Sequence, residues 1–254
     1  MSVKGNTAHQ YLGEVIGTFV YTFMICSTEA TSRLISGNPV SLGFKLLGYA
    51  FAVFVASYLV GGISGAHLNW AVTLYMGLSR KISLIRVPGY IVAQTVGAFL
   101  AAALVFTVYG PLLAVAGLTE ATANVFFCGI HPDIDFTYAF LIEVVDTSLL
   151  VLLMQIISDE NNPLNLGKLN PLVIAIYFAG IGLCNYPLTM ICMNPARDFG
   201  PRLFSFLIGY NGTGIAIPGV KGFEMYVYIA APIVGGLIGG FFYDLAIKPF
   251  WRRK

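Results

Sequence analysis

The sequence predicts an all-α membrane protein: six transmembrane helices plus two re-entrant half-helices, arranged as inverted three-span repeats. Four observations carry that prediction. Of the 254 residues, 57% are hydrophobic and only 10% are charged, whereas a soluble domain carries about 25% charged residues. Apolar windows near the roughly 20 residues needed to cross a bilayer recur along the whole length. Two further apolar stretches each begin with Asn-x-Ala, at Asn69-Trp70-Ala71 and Asn194-Pro195-Ala196. Finally, the halves repeat: Glu14-Val15-Ile16-Gly17-Thr18 matches Glu143-Val144-Val145-Asp146-Thr147, and Tyr90–Gly97 matches Tyr228–Gly235. Three spans per half is an odd number, so the halves lie inverted. Inverted repeats with broken helices place a site at the midplane, where the half-helices meet.

The elements follow in order. Span one covers about Tyr11 to Ser27, with Glu14 near its start, and residues 28–40 read as a polar loop with Gly37-Asn38-Pro39. Span two covers about Leu42 to Val60 and is broken by Gly61-Gly62 and Gly65. The apolar segment Asn69 to Leu78 is too short to cross, so it reads as a half-helix that enters and turns back; irregular backbone at that depth is tolerated only where it lines a cavity or is buried in protein. Span three is about Pro88 to Tyr109, rich in the small residues that let helices approach closely. Residues 110–136 form the longest loop. Span four is about Phe136 to Ile157, with Glu143 and Asp146 inside it, and span five about Pro171 to Asn185. The second half-helix is about Asn194 to Ile208, with Pro195 at the first helical position, where a missing N–H costs nothing. Span six is about Met225 to Ile247. Residues 1–254 then form one membrane domain, with repeat one at about 8–110 and repeat two at about 136–250.

Charge orients the chain. Arg80, Lys81 and Arg86 lie on the same side as both termini and the Arg252-Arg253-Lys254 tail, which makes that side cytoplasmic by the positive-inside rule. The acidic 110–136 loop faces outside, as does Asn211-Gly212-Thr213, a weak match to a glycosylation sequon. The first apolar segment contains Glu14 and continues too far for a cleaved signal peptide. The plasma membrane is favoured over an internal one. A net charge of +2 gives no reason to expect nucleic acid. The four cysteines have no CxxC spacing, so neither a disulfide framework nor a metal site is expected. No cofactor is implied. No nucleophile–base constellation appears either, so an enzyme is not expected.

The site follows from the same residues. Two half-helices meeting N-terminus to N-terminus put two positive dipole ends at the midplane. Asn69 and Asn194 each cap one with a side-chain oxygen, leaving their amide NH₂ groups to donate into a central path. The extended backbone before each half-helix offers carbonyls: Gly65, Ala66, His67 and Leu68 in one ladder, Met190, Ile191 and Cys192 in the other. Arg197 adds donors and positive charge; an arginine at membrane depth is by default a functional residue. Glu14 and Glu143 read as structural carboxylates that either pin the ladders or satisfy polar groups between helices. Such a conduit passes neutral hydrogen-bonding solutes and rejects ions. His67 lines the path, Trp70 is read as core packing, and Cys192, a small filler by composition, is placed where a mercurial could reach it.

At these residues the chain resembles the aquaporin family, the major intrinsic proteins, through Ser-Gly-Ala-His-Leu-Asn-x-Ala-Val-Thr (64–73) and Asn-Pro-Ala-Arg (194–197). In aquaporin-type pores, exclusion of cations by an arginine and half-helix dipoles is already understood. Within the family it resembles the glycerol-conducting branch at Asp198 and Arg202, Pro232-Ile233 and Tyr109. The resemblance implies a selectivity filter of Tyr49, Gly182, Ile191 and Arg197, a homotetramer with one pore per subunit in the lipid bilayer, and passage of glycerol, water and urea. Two departures stand out: Trp70 replaces the first-motif proline, and Tyr49 stands where related glycerol channels often carry Trp. The alternatives are a water-preferring or metalloid-conducting member, and a non-conducting structural membrane protein of the same fold. A secondary active transporter would need ion-coupling carboxylates at the midplane, and Glu14 and Glu143 sit too close to span ends or backbone ladders.

Overall fold

The computed structural model describes residues 6–35, 40–210 and 224–251, and at Glu120 only the backbone. The Gly37-Asn38-Pro39 turn, the Asn211-Gly212-Thr213 sequon and the Arg252-Arg253-Lys254 tail lie outside the described residues. In chain order the helices are α1 (Thr7–Leu34), α2 (Leu42–Ser64), α3 (Trp70–Leu78), α4 (Val87–Val108), α5 (Gly110–Ala116), α6 (Glu120–Ala123), α7 (Phe136–Ser158), α8 (Asn170–Thr189), α9 (Pro195–Leu207), α10 (Glu224–Phe242) and α11 (Lys248–Trp251). A π-helical turn, Tyr243–Ile247, joins the last two.

Five of the described helices are long and apolar enough to cross a membrane: Leu42–Ser64, Leu84–Val108, Phe136–Ser158, Gly167–Thr189 and Glu224–Trp251. The sixth span is α1. Its 28 residues reach about 42 Å at 1.5 Å per residue, more than a hydrocarbon core of about 30 Å. It is less apolar because it carries Glu14, Glu29 and Arg33, and both carboxylates are buried inside the bundle.

Helix α1 runs past the Ser27 limit that its polar composition suggests. Residues 28–34 are helix, not loop. Thr28 bonds back to the Met24 carbonyl, and Arg33 pairs with Glu29 one turn away, so polar residues that look like a loop satisfy one another within the helix. The 110–136 segment likewise contains two short helices, with α6 closed by a reciprocal Thr119–Thr122 capping box.

The packing follows the repeat. α1 lies on α2 and α4, and α7 lies on α8 and α10; α2 against α8 joins the halves. The half-helices cross over: α3 packs on α10 of the second half, and α9 packs on α4 of the first. Small residues set these distances. A Cβ on Gly97 would lie 2.3 Å from the Val15 carbonyl oxygen, and one on Gly235 would lie 2.3 Å from the Val144 carbonyl oxygen. Val15 and Val144 are matched positions of the repeat, so the α1–α4 and α7–α10 crossings are the same contact made twice.

Candidate functional site

α3 and α9 start where the sequence places their caps. The Asn69 side-chain oxygen accepts from the Ala71 N–H at 2.8 Å, and that of Asn194 accepts from Ala196 at 3.0 Å and Arg197 at 3.3 Å. Each amide nitrogen then donates across the midplane: Asn69 to the Met193 carbonyl and Asn194 to the Leu68 carbonyl, both at 2.7 Å. One hydrogen of each NH₂ therefore ties the two half-helices together, which leaves one to face outward.

The segments leading into the half-helices are strained in the same way. Ala66 and Leu68 have φ of 50° and 53°; Met190, Ile191 and Met193 have 59°, 44° and 47°. Left-handed backbone costs a non-glycine residue about 1 kcal/mol or more. The buried carboxylates offset that cost. Glu14 accepts from the His67 and Leu68 N–H groups at 2.9 and 2.7 Å, and Glu143 from Cys192 and Met193 at 2.9 and 2.8 Å. A hydrogen bond to a charged acceptor contributes about 1.5–3 kcal/mol. With its N–H groups turned onto a carboxylate, each segment presents its carbonyls to the opposite side. Gln94 adds a further bond to Glu14 at 2.7 Å and reaches Thr73, which contacts His67. Asp146, which has no repeat counterpart, accepts from Asn185 at 2.6 Å.

Tyr49, Ile191 and Arg197 are each about 1% exposed. Arg197 donates to the Cys128 sulfur at 3.0 Å, and its other terminal nitrogen is buried with no hydrogen-bond partner among the described residues. The space beside Gly182 holds methyl groups: a Cβ there would meet Leu46 at 2.5 Å and Ile191 at 2.9 Å. Behind Arg197, Asp198 and Arg202 form a fully buried ion pair. It clamps the 126–128 segment: Asp198 accepts from the Cys128 N–H and Arg202 donates to the Cys128 carbonyl, both at 2.8 Å. Arg202 also stacks 4.2 Å from the Phe127 ring centroid. Breaking a buried pair by removing one partner costs about 3–5 kcal/mol. Asp198→Ala is therefore expected to lower thermal stability in detergent sharply, and equal melting of variant and parent would remove the clamp. Tyr109 ties α4 to α1 through Thr31 at 3.2 Å and the Ser27 carbonyl at 3.3 Å. Pro232 lies inside α10, followed by Ile233.

Donor atoms of Cys128, Cys192 and Asp198 lie within 4.8 Å of one another. The set does not suit a cation. Both Asp198 oxygens are engaged, and the Arg197 guanidinium sits on one of the thiols.

A cavity of about 970 Å³ runs from Arg80, Lys81 and Arg86 to His67, Asn69 and Asn194. Tyr21 also lines it, a residue the sequence reading passed over because an isolated tyrosine in a span carries no signal. Neither Trp70 nor any of Tyr49, Gly182, Ile191 and Arg197 is among the lining residues of this cavity; the Trp70 ring packs on Phe199 of α9 at 5.5 Å. Cys192 is fully buried, against the exposure its position suggested, because its thiol turns onto the Asn194 carbonyl at 3.5 Å.

The family model described as "Major intrinsic protein" matches residues 1–243. Among curated relatives, the glycerol uptake facilitator protein of Pseudomonas aeruginosa is 37% identical over 94% of this chain and 88% of its own length. That of Escherichia coli is 34% identical, covering 96% and 89%, and human aquaporin-9 is 32% identical, covering 97% and 85%. Among solved structures, the aquaglyceroporin from Plasmodium falciparum superposes with a TM-score of 0.86 at 27% identity, covering 97% of this chain and 99% of that one.

Proposed function

The chain belongs to the major intrinsic protein family, and from that premise we propose that it is a passive channel for glycerol, other small neutral solutes and water that excludes ions and protons. One observation carries this: the amides of Asn69 and Asn194 stand at two facing half-helix N-termini and line the same cavity. Those positive ends repel cations, while amide donors and outward carbonyls satisfy a neutral polyol as it sheds water. The filter is Tyr49, Gly182, Ile191 and Arg197, and the carbonyl ladders are 65–68 and 190–192. Conduction needs no catalytic group and no cofactor.

The protein sits in a lipid bilayer as a homotetramer, with both termini cytoplasmic and the plasma membrane as its site. The clustering of Arg80, Lys81 and Arg86 at one mouth of the cavity supports that orientation. Outward apolar residues such as Phe44 and Tyr58 suit lipid or a neighbouring subunit.

A second reading, a water-preferring channel, is favoured by the Leu46 and Ile191 methyls beside Gly182. Stopped-flow swelling of proteoliposomes separates the two. Fast glycerol and water flux without proton leak supports the first reading; fast water with slow glycerol supports the second; no flux of either overturns both. Trp70→Pro is expected to leave flux unchanged or raise it, because the Trp70 ring packs on Phe199 rather than lining the cavity. Loss of flux in a folded Trp70→Pro protein would give Trp70 a role of its own.

A further inference from the structure

Glu29 is fully buried in the part of α1 that its sequence disguises as loop. Its two oxygens collect four donors. One accepts from the Tyr49 hydroxyl at 2.8 Å and the Tyr186 hydroxyl at 2.5 Å. The other accepts from Arg33 at 2.8 Å and Lys45 at 3.2 Å. Lys45 also donates to the Tyr186 hydroxyl at 2.8 Å and lies 4.7 Å from that ring's centroid. Arg33 reaches on to the Met190 sulfur at 3.6 Å, next to Ile191. One carboxylate thus joins α1, α2, α8 and the strained segment before α9.

We propose that Glu29 is a positioning residue that sets solute selectivity through Tyr49. This rests on the filter reading above. A phenol has a single O–H to donate, and Tyr49 donates its own to Glu29. The hydroxyl therefore points into the seam between α1, α2 and α8, so that in the proposed filter Tyr49 presents its ring rather than its hydroxyl. The ring packs against those of Tyr186 at 6.0 Å and Phe178 at 6.4 Å, centroid to centroid. The resulting filter is apolar on the Tyr49 and Ile191 side and a donor on the Arg197 side. That arrangement suits a polyol, which presents C–H along one edge and O–H along the other. With the charge removed, as in Glu29→Gln, the remaining carbonyl oxygen is a weaker acceptor, and the Tyr49 ring is released to swing its hydroxyl toward the path for a larger share of the time. It would add a polar group to the apolar wall and take up width, to the disadvantage of glycerol relative to water.

The test measures the glycerol-to-water permeability ratio in proteoliposomes for the parent, Glu29→Gln, Tyr49→Phe, the double variant and Arg197→Lys. Losing a charged hydrogen bond changes a competing equilibrium by roughly three- to fivefold or more, so Glu29→Gln is expected to lower the ratio by about that factor. The same change in the Tyr49→Phe background should leave the ratio where Tyr49→Phe alone puts it, since no hydroxyl remains to release. If Glu29→Gln slows both solutes in proportion, or lowers the ratio equally with and without the Tyr49 hydroxyl, the proposal is overturned. Arg197→Lys separates the two readings. A ratio that moves there but not in Glu29→Gln sinks the role of Glu29 alone. A ratio unmoved by Arg197→Lys sinks the filter reading, and Glu29 falls with it. Should Glu29→Gln fail to fold, Glu29→Asp keeps the charge and shortens the arm by one methylene; a parental ratio there overturns the proposal.

Discussion

Arg197→Ala is expected to give a channel that leaks cations and protons. Arg197 is about 1% exposed and belongs with Tyr49 and Ile191 to the proposed filter. A unit charge acts on another 4 Å away with about 4 kcal/mol at an effective dielectric near 20, which converts to nearly three orders of magnitude in cation entry. The two half-helix ends remain and keep part of the barrier, so an increase of about two orders is the expectation. Neutral solutes should respond differently: losing the donors weakens the hold on paired hydroxyls, and the vacated volume widens the path. Proton flux read by an entrapped pH dye, alongside swelling in glycerol and in a bulkier polyol, measures both effects. Parental exclusion of protons and of the larger solute would remove Arg197 from the filter.

The second large effect concerns the fold. Gly97→Leu and Gly235→Leu are each expected to yield no folded protein. A Cβ at either position would lie 2.3 Å from a carbonyl oxygen of the helix it crosses, and a backbone atom cannot swing aside as a side chain can. The helices would have to part by about 1 Å or more, and overpacking of a filled interior already costs about 1–3 kcal/mol where neighbours can adjust. In each case the helix displaced is the one carrying Glu14 or Glu143, so the strained segments lose their anchors as well. Gly43→Ala and Gly180→Ala are the controls. A Cβ at either meets nothing within 4 Å among the described residues, and removing a glycine from a helix contributes roughly 0.5–1 kcal/mol of stability. Size-exclusion profiles and melting in detergent should separate the two groups. A monodisperse, parent-like Gly97→Leu protein would mean that the α1–α4 crossing is looser than described.

Much of this architecture is legible from the chain because membrane crossing imposes a simple length and polarity code. The half-helices are legible for a second reason: Asn69 and Asn194 mark their own caps, and α3 and α9 begin one residue after each. The carboxylates Glu14 and Glu143 stand out as charges inside apolar spans. Glu29 did not, because Thr28, Glu29 and Arg33 have the composition of a loop, and only the helical spacing of Glu29 to Arg33, with Lys45 and two tyrosines from other helices, turns them into an interior cluster. Cys128 was equally hidden, since its partners Arg197, Asp198 and Arg202 lie about 70 residues away. Single residues with long-range partners carry no local pattern to read.

The crossed amide bonds have a consequence for synthesis. As the chain emerges, residues 6–110 can form α1, α2 and α4, but the Asn69 amide and the Leu68 carbonyl have no partners until residues 193 and 194 arrive. In hydrocarbon such unmet groups are costly. The first half should therefore remain provisional in the membrane, with α3 free to sample other positions, until the second half closes the pair. Maturation would then come late and all at once, and a ribosome stalled before residue 193 should leave a first half that a protease can still enter at residues 65–69.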